Sequence, residues 1–237
     1  EVALTGEWEN PYLQEEAALD MIITTPSGKE IVLPAFFRGT NGGEMYSVWE
    51  ARFTPQEKGK YTYFFRYTQD GQVASESAPA TFKSRRNRKG EGILHVRDNW
   101  TLVYDNGKPF RGVGINLCWE SRTQDDSKFF SDLHEQHDRF NFDAMLPDFA
   151  QNGGNFTRMW ICDWNFPIDR QTGFNNHRYE ETEEYMNRSA CERLDHVVSL
   201  AEDLDIKIML CMGQGKGPAY REFFTTDEAK ARYRNYV

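Results

Sequence analysis

Apolar runs long enough to cross a membrane are missing from this 237-residue chain; none approaches the roughly 18 residues that a span needs. No signal peptide is visible. The chain begins at Glu1 without a Met, so removal of an upstream segment is an expectation. Positive charge is also short. Lys and Arg number 28 against 37 Asp and Glu, giving a formal net charge of -9. That balance argues against nucleic acid as a partner, because phosphate binding needs a basic face. Cysteine is sparse, with only Cys118, Cys162, Cys191 and Cys211 and no C-x-x-C pair. The spacing is wrong for a zinc site. Cys118, Cys162 and Cys211 fall at or just past expected strand ends, where they read as small buried residues; a disulfide between two of them stays open.

Phosphate-loop signatures are lacking too. Gly213, Gly215 and Gly217 follow an expected strand but miss the G-x-G-x-x-G spacing, and no Lys-Ser/Thr follows. Gly112 and Gly114 open into a long loop rather than a helix. No cofactor is therefore expected. His134 and His137 stand near Asp132, Glu135 and Asp138 in a highly polar segment. Metal ligation there is conceivable, but an exposed polar stretch is the reading, and Asp125-Asp126 lacks the ligand ladder of a calcium loop. No metal is expected. The sequons at Asn99, Asn155 and Asn187 are weak signals, and Asn155 opens an expected buried strand.

What is present is enough to build cores: 39% hydrophobic and 14% aromatic residues argue against disorder. The length suits one or two domains. Residues 1–84 read as all-β. Apolar and polar residues alternate over 19–24, 31–37, 46–53, 61–68 and 78–82, with turns about every 8–12 residues, which predicts a β-sandwich. Asp70-Gly71 is a strong hairpin signal. Residues 85–92 form a basic, Gly-containing linker, and a solvated connector is the reading because no aromatic is interleaved.

From 93 onward the pattern changes. A small strand pair, 93–96 and 101–104, precedes three strand–helix repeats with strands at 112–116, 155–160 and 206–210. Such repeats predict a parallel sheet covered by helices, with sites at the C-terminal strand ends. The first helix carries Phe142, Met145, Leu146 and Phe149, with Pro147 expected to kink it and Asn152-Gly153-Gly154 to end it. Ser189 to Glu192 reads as a capping box opening a second helix with the stripe Leu194, Val197, Val198, Ala201 and Leu204. A third helix is expected to start at Thr225.

Two constellations carry chemistry. Arg158 lies in an otherwise apolar strand, and an inward arginine is costly unless it meets a carboxylate. It serves either a structural ion pair or a catalytic carboxylate that it holds ionised and oriented. Trp119, Trp160, Trp164 and Phe166 cluster after the first two strands, with Asn116, Glu120 and Asp163 among them. Any one aromatic could simply be core. Together they suit a sugar: ring faces stack on its C–H surface while amides and carboxylates bind hydroxyls. The substrate-binding set is therefore Asn116, Trp119, Glu120, Trp160, Asp163 and Trp164.

These residues resemble a known family. Asn10-Pro11-Tyr12, Pro26-Ser27-Gly28-Lys29, Phe36-Phe37-Arg38-Gly39, Trp49-Glu50-Ala51-Arg52-Phe53-Thr54-Pro55 and Gly59-Lys60-Tyr61-Thr62-Tyr63 look like the Ig-like N-terminal domain of bacterial glycoside hydrolases. In that family the domain precedes a (β/α)8 barrel related to the cellulase and mannanase enzymes of family 5 and its clan. The stretch Asn106 to Gly114 looks like the barrel entry, Gly153 to Trp160 like its second strand, and Arg221-Glu222-Phe223-Phe224 like the segment before its third helix. The resemblance implies a retaining mechanism with two glutamates, one acid/base and one nucleophile, after strands four and seven. No residue here matches either. Arg158 matches the clan's strand-two arginine, which supports the nucleophile. Where the clan often has His after strand three, this chain has Cys211-Met212-Gly213-Gln214.

The expected architecture is thus multidomain: an all-β Ig-like sandwich over 1–84, then a partial α/β, TIM-type barrel over 93–237, well short of the ~250 residues of a full barrel. The expected activity is hydrolysis of β-linked poly- or oligosaccharide by the whole protein, with this chain inactive alone. The implied partners are a carbohydrate substrate and the rest of the barrel, and the implied location is extracytoplasmic. Two rivals are a non-catalytic glycan-binding or interaction protein on a degenerate barrel, and a metal-dependent hydrolase using His134 and His137.

Overall fold

The computed structural model describes residues 2–6, 8–40, 46–85, 90–120, 140–162, 164–168, 178–182, 186–212 and 226–227. The chain divides into two compact units, Glu1–Gly92 and Ile93–Val237. It is β-rich, with two helices among the described residues.

In the first unit, β1 (Val2–Leu4), β4 (Phe36–Thr40) and β5 (Ser47–Glu50) form one antiparallel sheet in the order β1-β5-β4. A second antiparallel sheet joins β2 (Ala17–Thr24), β3 (Glu30–Pro34), β6 (Gly59–Gln69), β7 (Gln72–Glu76) and β8 (Ala80–Ser84). Its order is β3-β2-β6-β7, and β8 pairs with the other half of β6. Alternation along β2 selects the core. Ala17 and Leu19 pack with Ala35 and Trp49 of the first sheet, and Met21 and Ile23 pack with Tyr61. The Trp8 indole meets Trp49 edge-on at 5.9 Å and donates to the Tyr67 hydroxyl at 2.7 Å.

The run expected as one strand over 31–37 is two strands in different sheets. The chain changes sheet at Ala35, whose N–H donates to the Leu19 carbonyl at 2.7 Å. Pro34 supplies the break, since it has no N–H for a continuing ladder. Asp70 and Gly71 both take positive φ, 49° and 74°, the type I′ geometry that closes a tight hairpin. They join β6 to β7, a strand absent from the expected set.

In the second unit, β9 (Leu94–Val96) and β10 (Leu102–Tyr104) form a hairpin. Strands β11 (Gly114–Ile115), β12 (Phe156–Ile161) and β13 (Lys207–Met212) form a parallel sheet with β12 central. The helices are α1 (Phe142–Gln151) and α2 (Arg188–Asp203). Thr157, Met159 and Ile161 are buried while Phe156, Arg158 and Trp160 are half-exposed, so alternation divides β12 cleanly into two faces. Met159 and Ile161 share a core with Phe142 and Leu146 of α1 and with Val197 and Ala201 of α2. The helices therefore cover one face, and Arg158 stands on the other.

Helix α1 runs as one element through Pro147. Two local expectations need correcting. The cap of α2 is Asn187, whose side-chain oxygen accepts from the Ala190 N–H at 3.1 Å; the Ser189 hydroxyl donates to that same oxygen instead. Val198 is 45% exposed, and the buried face of α2 carries Ala190, Arg193, Val197 and Ala201. Burial of Asn187 at 1% exposure and its capping role leave no room for a glycan there. The expected third helix and the Gly213–Gly217 loop lie outside the described residues, as do His134, His137 and Arg221 to Phe224.

Candidate functional site

The two ends of the parallel sheet differ. At its N-terminal end Phe110 packs against Phe156, ring centroids 6.3 Å apart, and the Lys207 ammonium lies 6.0 Å from the Tyr104 ring. The β9–β10 hairpin and the segment after it thus cover that end. The C-terminal end gathers the residues singled out by sequence.

There the Trp119 ring lies 5.1 Å from that of Trp160, tilted 48°, and 6.1 Å from that of Trp164, edge-on at 85°. The Arg158 guanidinium lies 5.2 Å from the Trp160 ring centre. Arg158 and Trp160 are two residues apart on one strand and so share a face. The register sets Met209 beside Arg158 and Cys211 beside Trp160 on the neighbouring strand. Met209 is 50% exposed, while Arg158 and Trp160 are half-buried. Burial pushes the Cys118 thiol up, against the pull of Arg158 and with Cys211 adding to the rise. All four cysteines are free thiols, which closes the disulfide alternative.

Two donors here are shielded from water. Arg158 Nε and Trp160 Nε1 have no hydrogen-bond partner among the described residues. A buried donor left unmade costs about 1–3 kcal/mol. An acceptor brought by a ligand or by a further carboxylate restores that energy, so the site is chemically primed for oxygen.

Asn116 is exposed just after β11. Asp163 lies outside the described residues. Glu120 departs from expectation. It is fully buried, so it cannot reach a sugar hydroxyl. Its Oε1 accepts from the Phe142 N–H at 3.1 Å and from Arg193, and its Oε2 lies 3.8 Å from Arg178 Nε. Arg193 also reaches Asp143 at 2.6 Å, and Asp143 meets His196 at 2.5 Å. Burial pushes the Glu120 carboxyl up, against Arg193, the Phe142 N–H and Arg178. Burial works against charge on Arg193, but Glu120 and Asp143 outweigh it and raise its pKa. Burial also raises the Tyr179 phenol, whose oxygen accepts the Phe166 N–H at 3.0 Å.

Sequence reasoning missed Asn165, which is fully buried. Its Oδ1 accepts from the Glu120 N–H at 3.1 Å and its Nδ2 donates to the Trp160 carbonyl at 2.8 Å. Among the described residues no cluster of His, Cys, Asp or Glu could hold a metal ion, and no helix is long and apolar enough to cross a membrane.

Residues 1–68 match a family described as "Domain of unknown function (DUF5060)". A search of curated protein sequences finds no match. Among solved structures, this chain is similar over 90% of its length to 39% of a cyclomaltodextrinase, at 11% identity and a TM-score of 0.24, too low to support an argument about fold. It is similar over 98% of its length to a "putative glycoside hydrolase" from Bacteroides vulgatus ATCC 8482, at 15% identity and a TM-score of 0.62. The chain spans 43% of that protein. At this identity the likeness shows a shared fold and nothing of the activity.

Proposed function

We propose that the chain is part of a glycoside hydrolase acting on β-linked poly- or oligosaccharide by the retaining, two-carboxylate route. In this reading the parallel sheet with α1 and α2 is the opening of a (β/α)8 barrel related to family 5 and its clan. The first unit is an Ig-like domain preceding it. The observation that carries the reading is the pair of shielded donors, Arg158 Nε and Trp160 Nε1, beside a wall of indoles at one end of a parallel sheet. Indole faces suit the C–H surface of a sugar ring, and strand C-terminal ends are where such folds place their sites.

Arg158 is the residue for a carboxylate. A guanidinium keeps a neighbouring carboxylate ionised, and an ionised carboxylate is what a retaining nucleophile needs. A second carboxyl then protonates the leaving oxygen and afterwards activates water. Neither glutamate is assigned to a residue of this chain. Substrate contacts fall to Asn116, Trp119, Trp160, Asp163 and Trp164, with Glu120 removed from that set. Such a polymer substrate fits a location outside the cytoplasm. The runner-up is a glycan-binding module without catalysis, favoured by one observation: Glu120 is committed to arginines and offers no carboxylate for chemistry.

Reducing-sugar release from β-linked glucan and mannan by the protein at its natural length tests the reading. Hydrolysis is expected, and Arg158→Ala is expected to lower kcat by about a hundredfold, the usual cost of losing one preorganised electrostatic partner. Binding of these polymers with no hydrolysis would leave the runner-up standing.

A further inference from the structure

We infer that Asn165, anchored through Glu120, is a positioning residue that sets the geometry of the indole wall. The inference rests on the sugar-binding reading for its purpose but on hydrogen bonds for its content. Trp119 lies in the segment after β11, beyond any strand, and a ring there would ordinarily be free to move. Both of its peptide neighbours are nevertheless tied down. The Cys118 carbonyl accepts the Trp160 N–H at 2.8 Å. The Glu120 N–H donates to Asn165 at 3.1 Å. Asn165 in turn donates to the Trp160 carbonyl at 2.8 Å. One carboxamide therefore joins the residue after Trp119 to Trp160 itself, and the two rings sit 5.1 Å apart.

Asn165 is locked in turn. Its own N–H donates to the Cys162 carbonyl at 3.1 Å, and its carbonyl accepts the Cys162 N–H at 2.9 Å. Glu120 is held from the opposite side by Arg193 and the first N–H of α1. The chain of contacts runs from the helices, through a buried carboxylate and a buried amide, to the half-buried rings. Supporting shells of this kind decide whether a binding surface is preformed, and preformed surfaces bind more tightly because less ordering is left to the moment of binding. A buried Asn with both ends of its amide used, each on a segment carrying a tryptophan, is more than a loop staple.

The test is the circular-dichroism exciton signature of coupled indoles in the full chain. Trp160→Phe should abolish the Trp119–Trp160 couplet and identify it, since Trp119 also meets Trp164. Asn165→Ala, measured well below its unfolding temperature, should lose most of that couplet with the fold retained, and a β-linked gluco-oligosaccharide should bind about tenfold more weakly. A folded Asn165→Ala protein with the couplet intact overturns the inference, whatever happens to sugar affinity. If wild type shows the couplet but binds no sugar, the functional reading fails while the positioning role stands. Should Asn165→Ala not fold, hydrogen exchange on wild type decides. The Glu120 amide should be protected as strongly as the Trp160 amide, and fast exchange at Glu120 overturns the inference.

Discussion

The carboxylate of Glu120 is gripped by the guanidinium of Arg193, 73 residues further along the chain, in a setting with no solvent exposure at Glu120. The pair joins the loop after β11 to the second helix. Breaking a buried pair by deleting one partner leaves an uncompensated charge and costs about 3–5 kcal/mol. Glu120→Ala and Arg193→Ala are each expected to destabilise the second unit by that order in urea unfolding. The double variant Glu120→Leu/Arg193→Met should cost clearly less than the sum, since apolar replacement of a buried pair is often close to neutral.

Asp143 makes stability depend on acid. Burial alone raises its pKa, but hydrogen bonds from Arg193 and His196 prevail and hold it below the ordinary value. A depressed carboxyl contributes stability that is complete above its unfolded pKa of about 3.9 and is lost as pH falls through its lower folded value. Asp143→Asn should therefore flatten the acid limb of the urea midpoint measured against pH, with the difference from wild type growing as pH rises toward the unfolded pKa of about 3.9 and levelling off above it. Glu120, shifted the opposite way by burial, adds a falling slope above its unfolded pKa that both proteins share.

Cys191 should be slow to react. Burial, with Asp195 and Glu192 adding to it, raises its thiol from 9.0 to about 11. Only the thiolate is nucleophilic, and two pKa units lower its population about a hundredfold at neutral pH. Alkylation of the native chain followed by peptide mapping should find Cys191 modified far more slowly than in urea.

Much of this arrangement is legible in the sequence, and the rest fails for identifiable reasons. The run Phe156 to Ile161 and its flanking Gly154 announce a strand, and the strand forms with Arg158 on the face away from the helices. The edges of β11 are shorter than periodicity suggests, because only Gly114 and Ile115 find register with β12. Glu120 reads as a site residue because it follows Trp119. What buries it, Arg178 and Arg193, comes from remote segments. One clue was available: Ala190, Arg193, Val197 and Ala201 recur at helical spacing, which places an arginine on the buried face of α2. Asn187 and Ser189 are both good caps, and the capping-box pattern favoured the wrong one because Ser189 spends its hydroxyl on Asn187 itself. Asn165 gave no signal at all. Its role depends on two backbone groups that only the fold brings together.

The central claim is that the indoles and Arg158 form a sugar subsite. Calorimetric titration of the chain with a β-linked gluco- or manno-oligosaccharide, compared between wild type and Trp160→Ala, tests it most directly. The account predicts saturable binding by wild type and a loss of up to about tenfold in Trp160→Ala, since one stacked aromatic contributes about 0.5–1.5 kcal/mol beyond its area burial. Binding by Trp160→Ala and Trp119→Ala as strong as that of wild type, or no binding by wild type to either sugar series, would contradict it.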